Sequence, residues 1–344
     1  MTILELHHID KKYSKADNFA AKEVSFEVIE GEILALIGET GSGKTTLLRL
    51  IAGLEHPDKG YISLSGEKIV EGKKSVPTDK RKVGMVFQDH ALFPHLSILE
   101  NVMFGLHHTP QPEKLARETL KLVDLEENYN QYPHQLSGVQ QQRVALARAI
   151  APNPKILLLD EPFSNFDALM KDQVREEIRH TIKKSGITAI FVTRDTRDAL
   201  STADRIAILH KGYLQQIDTP RNLYENPINP YVANFFGKRN EIIATPTQDG
   251  FYTSFGFIRD SRSKNYYNKV KIYFRPEHAR IVRSETQSLS GKLFSIAYFG
   301  DHQMIHLADE EGKKISIKSP PHRKFNRMNW IFFTLENFGV EEVY

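Results

Sequence analysis

Cysteine is absent from the 344 residues, which excludes disulfides and thiolate metal sites and leaves the compartment open. Long apolar runs are missing too. The strongest, Ile33–Ile37 and Ile156–Leu159, fall far short of the about 20 residues that a membrane-spanning helix needs. Any membrane role is therefore expected to be peripheral. The opening residues, Met1 to Asp10, carry no apolar stretch of the signal-peptide kind. Neither charge sign dominates: the net charge is +3, which gives no general pull toward nucleic acid. No tract of low complexity interrupts the chain. What is present is ordinary for a globular protein, 40% hydrophobic and 26% charged, and the length accommodates two domains.

Two styles of sequence follow one another. Up to about Gly237, short apolar runs alternate with helical patterns, which predicts an α/β domain with a largely parallel sheet. From about Lys238 the pattern changes. Lys292–Phe299, Gln303–Ala308, Lys314–Lys318 and Trp330–Leu335 read as short strands, with turn chemistry at Gly300-Asp301 and Asp309-Glu-Glu-Gly312. This predicts a small β-barrel or sandwich over 238–344. The boundary near Phe236 to Asn240 is a change of pattern without a flexible linker.

Three local motifs point to phosphate chemistry. Gly38-Glu39-Thr40-Gly41-Ser42-Gly43-Lys44-Thr45 matches G-x-x-x-x-G-K-[ST], fed by the apolar strand Ile33–Ile37 and followed by a helical pattern over 46–51. Glycines let successive N–H groups turn inward as an anion nest, and the helix N-terminus adds partial positive charge there. Lys44 is placed to reach the β- and γ-phosphates and Thr45 to ligate magnesium. Second, the apolar strand 156–159 runs into Asp160-Glu161-Pro162. At the carboxyl end of a parallel strand, Asp160 can hold magnesium and Glu161 can orient the attacking water. Third, Leu136-Ser137-Gly138-Val139-Gln140 opens a helix read over 141–150. Ser137 and Gln140 have capping-box spacing, so a second helix N-terminus offers free N–H groups.

In this order the three motifs resemble those of ABC transporter ATPases, and the similarity spans about residues 1–236. The resemblance implies a P-loop NTPase core of the RecA-like type over 1–237, with a helical subdomain inserted at about 89–153. An all-β domain of the TOBE or oligosaccharide-binding type would follow. It also implies roles for further residues. Tyr13 would stack on adenine, and Thr46 would join the phosphate loop in binding nucleotide. Gln88 would sense magnesium and the γ-phosphate, and Asp167, in Ser164-Asn-Phe-Asp167, would lie in a loop crossing a dimer interface. The implied assembly is a head-to-tail dimer holding two ATP molecules with Mg2+. Each phosphate loop would face the Ser137 helix of the other copy, on the cytoplasmic face of the inner membrane.

Two positions depart from the family pattern. Val139 stands where glycine is usual; the N–H survives, and the side chain is expected to point away from the phosphate. Arg194, after the strand Thr188 to Thr193, stands where a histidine usually contacts the γ-phosphate. It can clamp phosphate with its forked donors but cannot relay a proton; alternatively it pairs with Asp195 or Asp198 and leaves the site. Further implied partners are integral membrane permease subunits, received by an apolar groove over Asp89 to Leu96, and an extracytoplasmic substrate-binding protein. Thr219 to Pro227 and Phe274 to His278 resemble importers whose cargo is ferric iron, polyamine, sulfate, molybdate or sugar, with the first two preferred. Competing readings are a soluble ABC ATPase outside transport and an ATP-driven dimerisation switch with weak hydrolysis. The adjacent pairs His7-His8 and His107-His108 are poor metal sites, since neighbouring side chains diverge.

Overall fold

Four runs too apolar to alternate, Ile33–Ile37, Ile156–Asp160, Thr188–Thr193 and Arg205–His210, lie in one sheet because both of its faces are covered. The computed structural model describes residues 1–14, 18–107, 109–283, 288–325 and 329–343; His108 and Tyr344 lie outside the described residues. It divides into two compact units, Met1–Phe236 and Gly237–Tyr344.

In the first unit the sheet order is Tyr213–Asp218, Arg205–His210, Ile33–Ile37, Thr188–Thr193, Ile156–Asp160, Val83–Val86. All neighbours are parallel except the first pair. Side chains alternate between two cores. Leu34, Leu36, Leu158 and Val192 face the cluster that holds helix Lys44–Ala52. Ile33, Ala35, Ile37, Leu159 and Phe191 face the cluster that holds helices Gly138–Ile150 and Ala168–Ser185.

A second, antiparallel sheet completes the first of these cores: Ala21–Ile29, Thr2–Lys11, Lys59–Leu64, Glu67–Glu71 and Lys74–Ser75. The expectation of one largely parallel sheet omits this layer. Its strands hide their period because the Thr2–Lys11 pairing shifts register at three points, with His8 at φ 47°. Helices Ile98–Met103 and Pro112–Leu122 share a separate small core with Val144 and Ala147 of helix Gly138–Ile150. That last helix starts at Gly138, earlier than the 141 read from pattern, because the capping box forms. Ser137 Oγ accepts from Gln140 N (3.3 Å) and Gln140 Oε1 from Ser137 N (3.0 Å). Among the described residues no helix is long and apolar enough to cross a membrane.

The second unit is two five-stranded antiparallel sheets around one apolar cluster that includes Ile242, Phe251, Ile272, Ile305 and Phe333. One sheet contains Leu289–Tyr298, Gln303–Ala308, Lys314–Ser319 and Trp330–Leu335, the four runs anticipated, with Ala279–Val282 added. The first of these begins and ends earlier than read. The other sheet, Gly256–Arg259, Gly250–Thr253, Asn240–Pro246, Val270–Phe274 and Gly339–Glu342, is additional.

One buried cation anchors the phosphate-loop helix. Gly53, in the left-handed conformation, donates to Arg49 O and Leu50 O. Arg81 Nη1 donates to Leu50 O (2.8 Å) and Ile51 O (2.9 Å), and its Nε donates to Val76 O (2.8 Å). The last carbonyls of the helix are thereby satisfied away from water. Arg81→Met leaves Ile51 O without its donor, while Leu50 O keeps Gly53 N, and is expected to cost about 1–3 kcal/mol, read as a lower urea midpoint for the first unit. An unchanged midpoint would mean that Arg81 does not anchor the helix.

Candidate nucleotide site

The phosphate loop leaves its strand at Gly38 and enters its helix at Gly43, the N-cap, with φ 105°. A Cβ at Gly43 would stand 1.8 Å from Ala20 O, so only glycine fits. Lys44 is 5% exposed, and its Nζ donates to Gly38 O (2.8 Å), Glu39 O (2.8 Å) and Ser42 Oγ (3.3 Å). Burial pushes its pKa down; the nearby charges of Glu161, Asp160 and Glu39 oppose this, and Arg194 adds to it. A desolvated ammonium beside a glycine-rich helix N-terminus favours an anionic ligand.

A cavity of about 430 Å³ opens beside the loop, lined by Tyr13, Phe19, Gly41, Gly43, Lys44, Thr45 and Thr46, with Asn18 and Ala20. Tyr13, 38% exposed, approaches Thr46 at 3.5 Å between hydroxyls. Its ring therefore shares the cavity with the phosphate loop. Phe19 brings a second ring, faced by Lys22 Nζ at 4.7 Å. Sequence reasoning missed it because only the fold carries it back to the loop. Glu39 and Thr40 are exposed at the tip.

Asp160 ends the strand beside Thr188–Thr193. Burial pushes its pKa up, Glu161 adds to this, and Arg49, Thr45 and Lys44 oppose it. Glu161 has φ 45°, in the region L-residues seldom adopt. Its N–H donates to Val192 O (3.0 Å), and its carbonyl accepts from Ser164 N (3.1 Å) and Oγ (2.9 Å), which holds the strained geometry.

Arg194 Nη2 lies 2.9 Å from Glu161 Oε2. The alternative in which Arg194 pairs with Asp195 or Asp198 is corrected by this contact. Both aspartates are already engaged. Arg175 Nη2 is 2.6 Å from buried Asp198, which also accepts from Thr193 Oγ1 (2.7 Å). Asp195 caps helix Thr196–Thr202 through Arg197 N (2.8 Å) and faces Lys171 at 3.5 Å.

The remaining site residues form a second group. Asn165 Nδ2 donates to Gln88 O (2.6 Å), so the segment 164–167 is tied to the Gln88 segment. The Asp167 carboxylate caps helix Ala168–Ser185, accepting from Met170 N (2.9 Å). His90, buried, stacks on Phe166 at 6.3 Å between ring centres, and its carbonyl accepts from Arg148 Nη2 (2.9 Å) of helix Gly138–Ile150. Burial pushes its pKa down. His90 thus joins three segments. In sequence it is one histidine among 14, with nothing local to mark it. Val139 turns its side chain into the core, while Ser137 and Gly138 are exposed. None of Ser137, Gly138, Val139, Gln140 or Asp167 lines the cavity at the phosphate loop.

Comparison with known proteins identifies the family. The family model described as ABC transporter matches residues 21–164, and the TOBE domain model matches residues 273–330. The spermidine/putrescine import ATP-binding protein PotA of Nitratidesulfovibrio vulgaris is 38% identical over 330 residues, covering 91% of this chain and 88% of that protein. The chain belongs to the ABC transporter ATPase family. Two further relatives are comparable. The Fe(3+) ions import ATP-binding protein FbpC of Rhizobium etli is 37% identical over 93% of this chain and 92% of that one. PotA of Clostridium acetobutylicum is 40% identical over 88% and 86%. Among solved structures, the dimeric ATP-binding cassette MJ0796 with ADP and Pi superposes with a TM-score of 0.55 at 33% identity, covering 64% of this chain and 99% of that one. CbiO1 of Clostridium perfringens, part of the cbiONQ transporter, gives 0.59 at 27% identity over 64% and 90%. As an ABC ATPase the chain binds ATP and hydrolyses it.

Gly43→Ala forces the loop off Ala20 and is expected to weaken ATP binding about tenfold or more, measured by calorimetric titration of the full chain. Wild-type affinity in that variant would mean that the close approach at Gly43 does not shape the nest.

Proposed function

We propose that this ATPase energises import, working as a head-to-tail dimer against permease subunits on the cytoplasmic face of the inner membrane. The observation that carries the proposal is the separation of the site into two half-sites. Lys44, Thr45, Asp160 and Glu161 form one. The exposed, capped N-terminus at Ser137, which does not line the first cavity, forms the other. A second copy turned end for end supplies the missing half to each.

In this reading Tyr13 stacks on adenine, and the N–H groups of 38–46 with Lys44 bind the phosphates. Thr45 and Asp160 fit a hard divalent cation together with Gln88; burial and the neighbouring Glu161 push the Asp160 pKa up, and such a cation would relieve both. Magnesium, when bound, neutralises charge on the β- and γ-oxygens. Glu161 accepts a hydrogen bond from water and aligns it with the γ-phosphorus. The water oxygen bonds to that phosphorus as one of its protons passes to Glu161 and from there to the released phosphate, the bond to the β,γ-bridging oxygen breaks, and ADP leaves with the electron pair. Ser137, Gly138, Val139 and Gln140 present backbone N–H groups to the γ-phosphate from the opposite side, and Asp167 belongs to the segment between the copies. The cargo is polyamine or ferric iron, delivered by an extracytoplasmic binding protein; the relatives named for spermidine/putrescine and for Fe(3+) support that pair.

Phosphate release by the full chain with its permease in vesicles tests the reading. Glu161→Gln is expected to lower kcat about 10²–10³-fold. Supplying the binding protein with spermidine or with ferric iron is expected to stimulate the wild type with one cargo only. Equal rates in wild type and Glu161→Gln would remove Glu161 from the mechanism, and stimulation by neither cargo would remove the cargo assignment.

A further inference from the structure

We infer that Arg194 is a positioning residue for Glu161: its guanidinium holds one carboxylate oxygen so that the other is presented to the attacking water. The inference rests on the reading of Glu161 given above and deepens it. Oε2 is the Glu161 carboxylate oxygen that carries a hydrogen bond among the described residues, to Arg194 Nη2 at 2.9 Å. Oε1 remains for water. A glutamate has three rotatable side-chain bonds, and an unanchored one would sample several rotamers.

Arg194 is in turn anchored through its backbone. Thr193 Oγ1 accepts from Asp195 N (3.1 Å) and donates to Asp198 Oδ2 (2.7 Å), so the chain is clasped on both sides of position 194. Buried Arg175 fixes Asp198 through Nε (2.7 Å) and Nη2 (2.6 Å). On the other partner, Glu161 N is bonded to Val192 O (3.0 Å), two residues before the arginine. Strand pairing therefore sets both ends of the ion pair. A guanidinium suits this task because it stays charged and its planar donors fix direction as well as distance. The pair is a local one: Arg194 is 56% exposed in its side chain and Glu161 18%, so removing it is expected to leave folding intact.

A direct clamp on the γ-phosphate is the competing role, and a double-mutant cycle separates the two. ATP affinity and single-turnover hydrolysis are measured for the full chain as wild type, Arg194→Met, Glu161→Gln and the double variant. Arg194→Met is expected to lower the hydrolysis rate about tenfold while ATP affinity stays within about twofold, and to change the residual Glu161→Gln rate by less than about twofold. Arg194→Lys, which keeps the charge with fewer fixed donors, is expected to regain part of the loss. An equal loss in both backgrounds, or ATP affinity about tenfold weaker, would overturn the inference in favour of the clamp. A wild-type rate in Glu161→Gln alone would overturn the role of Glu161, and the inference with it.

Discussion

A buried ammonium ringed by carbonyl oxygens is the constraint on which this site depends. Lys44 sits within 2.8 Å of two loop carbonyls, at the N-terminus of a helix whose far end is tied down by Arg81. Burial alone disfavours that charge. The surrounding carboxylates offset part of the cost, and a triphosphate offsets it further. The same desolvation that makes the group expensive makes its attraction for phosphate strong.

Parallel pairing brings the chemistry together. The strands ending at Ile37, Thr193 and Asp160 are consecutive in the sheet and point the same way. Their carboxyl ends therefore carry the nest, Arg194 and the pair Asp160–Glu161 side by side, which is where open α/β sheets place ligands. Register does the fine adjustment: Asp160 faces Val192, and Glu161 turns back through a left-handed backbone to bond Val192 O. No single motif holds this arrangement; it exists only when three distant segments pair.

What the sequence disclosed, and what it did not, follows from that distinction. The phosphate loop, the carboxylate pair and the Ser137 cap are each written within a few consecutive residues, so their local form is legible. Capping at Ser137 agrees to the pair of bonds expected. The antiparallel sheet over Thr2–Lys11 and Ala21–Ile29 was not legible because bulges break the alternation that marks a strand. In the second unit, Gly250–Thr253 and Gly256–Arg259 are four residues each, too short for a period to declare itself. Arg194 had three acidic candidates nearby in sequence or space. Its choice of Glu161 depends on Arg175 and Lys171 having taken the other two, which is a tertiary outcome. His90 and Phe19 likewise acquire meaning only from what the fold lays against them.

The claim beneath all of this is that Lys44 and its nest, rather than the aromatic wall, supply the grip on nucleotide. Titrating MgATP and adenosine separately into the full chain, as wild type and as Lys44→Ala, tests it most directly. The account predicts that the alanine variant loses about a hundredfold in affinity for MgATP while its weak affinity for adenosine is unchanged. Equal MgATP affinity in the two proteins, or a parallel loss for adenosine, would contradict it.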